Sequence, residues 1–215
     1  VLIIAFNLNL SYPSIVMFDI EDKFQISMTI KGIDVEEMLE GYEKGERNFA
    51  NVYLYAGNNN LRGCDLSGIN LSGSKLCAYL ADANLSGADL SNVYMPKTNL
   101  DRVILVGANL SGATFWQCGF KNANFGGANL SGADLGMTNF YGANLCRANL
   151  RGARLDDVLF DDADLTEADL SNAILKGSSL RRTNLMGANL EGVEFLRVCF
   201  QDTIMPDGNI RSGTG

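Results

Sequence analysis

The sequence predicts an all-β solenoid whose coils have four sides, and three features of one repeat carry that prediction. Between residues 78 and 205 an apolar centre recurs every five positions without a break, and the 26 centres are 17 Leu, 7 Phe and 2 Met. The residue two positions before each centre is small or β-branched, and it is Ala fifteen times. Gly stands two positions after the centre ten times. A fixed internal period of this kind sets the architecture of the whole chain.

A period of five fits neither an α-helix nor a single β-strand. Five residues advance a helix by about 500°, so the centres would not share one face. In a strand an odd period sends alternate centres to opposite faces. A chain that turns a corner after every centre brings all centres inside, and the Gly-rich positions then form the bends. Four sides make a coil of 20 residues, which predicts an interior column of Phe120, Phe140, Phe160 and Phe200.

Residues 49–207 are predicted to form about eight coils, because six earlier centres extend the 26 to 32. Two extra residues among positions 57–60 and a slip of one residue before Leu80 interrupt the period. Such interruptions are expected at corners, as bulges or small loops. Residues 208–215 are polar and Gly-rich, and they are predicted to be a disordered tail.

Residues 18–48 are predicted to be an N-terminal cap that follows an apolar extension, residues 1–17. Apolar residues alternate in residues 18–30, a period typical of a strand or hairpin with one buried face. Asp34, followed three positions later by Glu, predicts the start of a short amphipathic helix over about 35–45. We expect the apolar stripe of this helix to cover the open end of the coils.

Composition disfavours an enzyme and a nucleic-acid binder. Histidine is absent, which removes the commonest general base and the commonest metal ligand. The 17 basic against 25 acidic residues give a net charge of −8, whereas binding to a nucleic-acid backbone relies on clustered Lys and Arg. We therefore expect no catalytic residue, no metal, no cofactor and no small-molecule substrate. No apolar stretch reaches the roughly 20 residues that cross a bilayer, so no membrane span is expected.

The expected compartment is the cytoplasm. The five cysteines are odd in number and widely spaced, which indicates free thiols in a reducing environment. The alternative is the thylakoid lumen or the periplasm, and it requires a signal segment upstream of Val1.

Several runs of the repeat resemble the A(D/N)LXX consensus of pentapeptide-repeat proteins, among them residues 83–87, 88–90, 128–132 and 143–145. The resemblance covers about three quarters of the chain. It implies a right-handed quadrilateral parallel β-helix. Residues 45–49 and 204–208 also look like cyanobacterial members of the family, including the type that regulates heterocyst differentiation. The resemblance therefore suggests a regulatory role in a bacterial cytoplasm.

One predicted coil is strongly acidic on its outer side. Seven carboxylates lie outward within 14 residues, namely Asp156, Asp157, Asp161, Asp162, Asp164, Glu167 and Asp169. Such an acidic band could imitate the phosphates of duplex DNA, as the gyrase-protecting relatives are thought to do. The structural alternative is a set of charges offset by Arg and Lys on the neighbouring coils. The 16 acids and 12 bases of residues 49–207 favour this alternative, because a DNA mimic should be acidic along the whole rod.

The second candidate site is apolar. Tyr94, Trp116 and Met137 are predicted to point outward on the same side of successive coils, and Tyr141 lies around the next corner. Clustered exposed aromatic residues are typical of interaction sites. The structural alternative is an indole that lies flat over a corner.

These observations predict a rigid, non-enzymatic scaffold that binds another protein and has a regulatory role. Backbone pairing between coils would hold the outward side chains in place, so that a partner meets a surface already ordered. The alternative function is a DNA-mimicking binder or protector of a type II topoisomerase, gyrase. The gyrase-binding relatives dimerise through a C-terminal helical module, whereas only about ten polar residues follow Met205 here.

Overall fold

The structure, a computed structural model, describes residues 30–55 and 61–215. It has the predicted right-handed quadrilateral β-helix. From Asn84 onward, parallel bridges join outward residues about 20 positions apart, as between Asn84 and Ile104 or Asn109 and Asn129. Each side of a coil is therefore a single pentapeptide, and the coil length is the predicted one.

Four ladders of these bridges define four faces, which we name A to D in chain order. Face A includes Tyr94, face B Asn99, face C Ile104 and face D Asn109, and each ladder gains one outward residue every 20 positions. The corner between two faces takes both letters, so residues 96 and 97 lie at corner AB.

Face A has eight rungs within the repeat, in agreement with the predicted eight coils. They are β2 (Val52–Tyr55), β3 (Lys75–Cys77) and the bridge residues Tyr94, Thr114, Asp134, Arg154, Ile174 and Glu194. The register also contains both predicted interruptions: Tyr53 pairs with Lys75, 22 positions on, and Lys75 pairs with Tyr94, 19 positions on. The first coil is thus two residues longer than 20 and the next is one residue shorter.

The corners explain the Gly positions of the repeat. At the corner from Leu80 to Ala83, the N–H of Ala83 donates to the carbonyl of Leu80 over 3.1 Å, and Asp82 has a φ of +63°. A positive φ at the third of four residues is the geometry of a type II turn, which favours Gly. Gly132 takes the same place at another corner, with a φ of +65°.

The core is a continuous column inside the coils. Both inward positions of the pentapeptide are buried, as Ala128 and Leu130 illustrate on face D. The predicted Phe column is present: the ring centroids of Phe120 and Phe140 lie 5.1 Å apart, and those of Phe140 and Phe160 lie 5.2 Å apart. Small Ala side chains keep the rod narrow, so that the Leu and Phe side chains can meet across it.

The N-terminal end is covered by β1 (Lys31–Asp34) and α1 (Val35–Glu43). The side chain of Asp34 accepts the N–H of Glu37 over 2.8 Å, which confirms the predicted helix start. β1 pairs in parallel with β2 and adds a rung that the sequence analysis did not predict. Met38 of α1 is fully buried in the same apolar cluster as the first coils, so the helix covers the end of the core. The predicted extension 1–17 and the alternation over 18–29 lie outside the described residues.

The predicted disordered tail is wrong. β4 (Cys199–Ile204) and β5 (Ile210–Thr214) form an antiparallel hairpin around a turn at Asp207 and Gly208. The guanidinium of Arg211 lies 3.8 Å from the centroid of the Phe200 ring, a cation–π contact that fastens the returning strand. A polar composition suggested fraying, but strand pairing, this contact and the hydrogen bond from the N–H of Asp202 to the Ser212 hydroxyl order the segment.

Candidate interaction surface

Faces C and D use their outward side chains to hold the coils together. The carbonyl oxygen of the Asn129 side chain accepts the N–H of Ser131 over 3.2 Å, and its amide donates to Asn109 of the preceding coil over 3.1 Å. On face C, Asn144 likewise accepts from Cys146 and donates to Asn124. The Asn residues of the consensus therefore fix a corner and link two coils at once.

The side of the rod formed by faces C and D is nearly free of charge over several coils. Between residues 84 and 146, these two faces and the corner between them carry one charged side chain, Asp89. Their exposed large apolar residues in this range are Ile104 and Val106. We call these faces, with corner CD, the neutral side over residues 84–146.

The predicted apolar site lies on the opposite side, formed by faces A and B with corner AB. Tyr94 is 51% exposed on face A, and Met137 is 48% exposed at corner AB two coils later. Tyr141 is 46% exposed across face B from Met137, at corner BC. The four predicted residues therefore follow a diagonal band across three coils. We call faces A and B, with corner AB and the adjoining Tyr141, the decorated side.

Trp116 is half-buried and packs along corner AB. A Cβ on Gly136 of the next coil would lie 3.2 Å from the Cδ1 atom of the indole, so the ring covers that glycine. The ammonium of Lys97, on the preceding coil, lies 5.1 Å from the centroid of the ring. The indole thus lies over the corner, as the structural alternative expected, while part of it faces solvent.

The acidic band surrounds one coil and does not collect on one face. Its members occupy corner AB (Asp156, Asp157), corner BC (Asp161, Asp162), face C (Asp164), corner CD (Glu167) and face D (Asp169). Three of them form ion pairs with neighbouring arginines: Asp156 with Arg154 at 2.8 Å, Asp162 with Arg182 at 2.6 Å and Glu167 with Arg147 at 2.7 Å. The structure therefore disperses the negative charge and partly offsets it.

Other carboxylates of the band serve the corners. Asp164 accepts the N–H of Thr166, and Asp169 accepts the N–H of Ser171, each over 2.9 Å. The N–H of Ser171 lowers the pKa of Asp169, and the guanidinium of Arg182 lowers the pKa of Asp162. Asp162 and Asp169 are therefore held in the ionised form, the opposite of what a general acid needs near neutral pH.

Two exposed tyrosines of the decorated side, and a third that is partly buried, were missed by the sequence analysis. Tyr55 is 38% exposed and Tyr79 is 63% exposed, while Tyr53 packs against Tyr55 with ring centroids 6.4 Å apart. They lie in the first coils, where the interruptions obscure the repeat. Their outward direction could have been found from the centres alone, since Tyr53 and Tyr55 flank Leu54 and Tyr79 directly precedes Leu80.

The buried thiol of the core is unreactive at neutral pH. Burial raises the pKa of Cys118 to about 11, and its thiol donates to the carbonyl of Met95 over 3.0 Å. Within residues 30–55 and 61–215, no cluster of three or more Cys, Asp or Glu could hold a metal ion. None of the helices described is long and apolar enough to span a membrane.

Comparison with known protein families identifies the repeat. The family model "Pentapeptide repeats (8 copies)" matches residues 78–117, and the model "Pentapeptide repeat region" matches residues 113–190. Together they cover residues 78–190, which is 113 of 215 residues and just over half of the chain. The chain belongs to the pentapeptide repeat family. A search of curated proteins found no match to this chain.

Several solved structures are similar to this pentapeptide repeat protein. HetL from the cyanobacterium Nostoc sp. strain PCC 7120, a protein involved in heterocyst differentiation regulation, is 25% identical; the match covers 83% of this chain and all of HetL, with a TM-score of 0.36. Rfr23 from the cyanobacterium Cyanothece 51142 is 27% identical over 54% of this chain and 85% of its own, with a TM-score of 0.32. QnrB1, a plasmid-mediated fluoroquinolone resistance protein, is 22% identical over 69% of this chain and 84% of its own, with a TM-score of 0.41.

Proposed function

We propose that this pentapeptide repeat protein is a non-enzymatic, rigid scaffold that binds another protein through its decorated side and has a regulatory role. The observation that carries the proposal is the different use of outward side chains on the two sides. On the neutral side Asn129 and its equivalents are engaged in hydrogen bonds between coils. On the decorated side Tyr94 and Met137 project about half of their surface into solvent.

Hydrogen bonds between the coils make the backbone beneath this surface rigid, so that little free energy is lost to ordering when a partner binds. The N–H of Met95 donates to the carbonyl of Thr114 over 2.9 Å, and the N–H of Thr114 donates to Val93 over 2.8 Å, so each rung is fixed by its neighbours. A partner loses less free energy to ordering when it meets a surface that is already rigid. Tyr and Trp are also the residues that most often dominate the binding energy of protein interfaces.

The non-enzymatic part of the proposal is supported by the state of the ionisable groups. The sequence has no histidine, and Asp162, Glu167 and Asp169 have pKa values below their ordinary range. One shallow groove of about 350 Å³ is lined by Arg154, Asp156 and Lys176, and it is open at the surface. Paired, exposed charges of this kind do not favour general acid–base chemistry.

The alternative is a DNA-mimicking binder or protector of gyrase. The acidic band supports it, whereas the ion pairs at Asp156, Asp162 and Glu167 and the spread of the band around the rod speak against it. A supercoiling assay with purified gyrase tests this function directly. If the protein neither inhibits nor protects gyrase at micromolar concentrations, this function is excluded.

The scaffold function is tested by capture experiments with matched surface variants. We expect wild-type protein on a resin to capture a defined protein from a lysate of the source organism. The double variant Tyr94→Ser/Met137→Ser should lose the captured protein, while Ile104→Ser/Val106→Ser on the neutral side should retain it. Loss with the neutral-side variant and retention with the decorated-side variant would contradict the proposal.

A further inference from the structure

The N-terminal half of the decorated side combines aromatic residues with lysines. We define the aromatic–lysine surface as Tyr55, Lys75, Tyr79, Tyr94, Lys97 and Trp116. These residues belong to four successive rungs that begin at β2 and end at the coil of Thr114. All six side chains are exposed or partly exposed.

Its residues form ladders that run along the rod. On face A, Tyr53 pairs with Lys75, and Lys75 pairs with Tyr94. At the adjoining corner, Tyr55 pairs with Cys77, and the hydroxyl of Tyr53 lies 3.6 Å from the thiol of that cysteine. The ammonium of Lys97 lies over the Trp116 ring. The surface is therefore a continuous strip about 14 Å long, three times the usual 4.8 Å between rungs.

This strip is distinguished by its charge. On faces A and B and corner AB, among the described rungs from Val52 to Gly119, there are two lysines and no carboxylate. The whole chain carries a net charge of −8. Beyond the C-terminal end of the strip, the first carboxylate on face A is Asp134. At the N-terminal end, Asp34 of β1 pairs with Tyr55, and its carboxylate accepts the N–H of Glu37. Lys75 and Lys97 would therefore favour an acidic partner at this strip, whereas the acidic band would disfavour it, and such a difference of affinities produces specificity.

We propose that the aromatic–lysine surface binds an extended acidic segment of a partner protein. The inference rests on the proposed scaffold function and names the chemistry of its partner. Carboxylates of the segment would pair with Lys75 and Lys97, and apolar or proline side chains between them would pack on Tyr55, Tyr94 and the exposed part of Trp116. A strip of about 14 Å accommodates about five extended residues at roughly 3.3 Å each. Aromatic-lined surfaces bind extended, proline-containing segments because these lose little entropy on binding.

A peptide fits this surface better than a single-stranded nucleic acid. Stacking on exposed aromatic residues is common to both ligands, but a nucleic acid adds one phosphate per nucleotide and needs a basic groove that follows its backbone. Two lysines on a protein of net charge −8 do not form such a groove. A short segment with two or three carboxylates matches the two ammonium groups.

The test uses a fluorescein-labelled peptide of about nine residues, built from Glu-Pro-Leu triplets and longer than the strip on purpose. Fluorescence anisotropy with the full chain should give a Kd of about 100 µM, which weakens when NaCl is added. The variants Lys97→Glu and Tyr94→Ser should each weaken binding about tenfold. The controls Lys176→Glu, at the same corner four coils away, and Ile104→Ser, on the neutral side, should leave binding unchanged.

Three results would overturn the inference. They are no binding of the Glu peptide at about 1 mM, equal binding of a Gln-Pro-Leu peptide, and tighter binding of an oligothymidine of similar length. If any one of these results occurs while the Tyr94→Ser/Met137→Ser variant still loses the captured partner, the scaffold function stands and only the acidic chemistry of the partner is wrong. If the Glu peptide binds as expected but neither surface double variant affects capture, the scaffold proposal fails separately.

Discussion

The two sides of the rod are built on the same backbone but use their outward residues differently. On the neutral side, Asn109, Asn129 and Asn144 each make hydrogen bonds with the chain two residues on or with the adjacent coil. On the decorated side, Tyr94 occupies the equivalent position on face A, Met137 lies at corner AB, and both remain about half exposed. The consensus residues thus serve the fold, and departures from the consensus are available for binding.

The comparison separates stability from function within one repeat. A change on the neutral side should mainly affect the free energy of unfolding, because it removes contacts between coils. A change on the decorated side should mainly affect binding. A substitution in the core, in contrast, should lower stability equally on both sides, because every face supplies the same pair of inward residues.

The largest effect is expected from charge placed in the core, and it should be equal on both sides. Ala113 on face A and Ala128 on face D are fully buried. Ala113→Arg and Ala128→Arg should each cost about 4 kcal/mol or more, since a charged side chain would enter a narrow apolar interior. Thermal unfolding followed by circular dichroism measures the loss, with Thr114→Arg as the outward control. Normal melting of either inward variant would contradict the assignment of inward positions.

A smaller effect is expected where coils touch closely at a corner. Gly112 and Gly132 both lie at corner DA with φ near +65°, but a Cβ on Gly112 would lie 2.6 Å from the side-chain oxygen of Asn92, and Gly132 has open space. Gly132→Ala should cost about 1 kcal/mol from backbone strain alone. Gly112→Ala should cost about 2 kcal/mol, because Asn92 must also move.

Chemical denaturation of both variants checks this difference. Adding Asn92→Gly to the Gly112→Ala variant should remove the additional loss of stability, since the obstructing oxygen is then absent. Equal losses for the two single variants would show that the contact with Asn92 has no energetic weight.

The hydrogen-bonded ladder of the neutral side should contribute more than the outward residues of face A. Asn129→Ala removes an acceptor for Ser131 and a donor to Asn109, so we expect a loss of about 1 to 2 kcal/mol. Thr114→Ala on face A should change stability by less than about 0.5 kcal/mol. Denaturation in urea compares the two variants. A larger loss for Thr114→Ala would reverse the proposed division between the sides.

The smallest effect concerns the ion pair at corner BC. The guanidinium of Arg182 lowers the pKa of Asp162 below its ordinary value of about 3.9. The folded state therefore gains stability from this carboxylate above about pH 4, and the gain is lost as the pH falls through the lowered pKa. Arg182→Gln should lower Tm slightly at pH 7, and the difference from wild type should vanish near pH 2.

Arg197→Gln is the control, because Arg197 forms no ion pair among the residues that the structure describes. Its Tm should follow wild type at both pH values. A difference between Arg182→Gln and wild type that persists unchanged at low pH would assign the effect to packing of the arginine stem.

The sequence predicted the parts of the fold that follow from periodicity. The apolar centres and the small residues two positions before them must both face the inside of a four-sided coil. The coil length, the Phe column and the interruptions before Leu61 and Leu80 therefore followed directly from their spacing. The cap helix was recognised from its Asp34 start. β5 could not be recognised, because a five-residue polar strand is ordered by pairing with β4 and by Arg211 on Phe200, contacts that no local pattern encodes.

The candidate surface was only partly predictable. Tyr94, Met137 and Tyr141 were found because their positions in the pentapeptide are outward. The half-burial of Trp116 over Gly136 could not be read from the sequence, since it depends on a neighbour 20 positions away having no side chain. The same applies to the acidic band, whose charge is partly offset by arginines on adjacent coils.

The division between the two sides is tested most directly by site-specific photo-crosslinking. A benzophenone amino acid would be placed at Thr114 or Met137 on the decorated side, and at Val106 or Asn129 on the neutral side, in separate variants. After capture of the partner and irradiation, we predict crosslinked complexes from the first two positions and none from the last two. Crosslinks from Val106 and Asn129, with none from Thr114 and Met137, would contradict the assignment of binding to the decorated side.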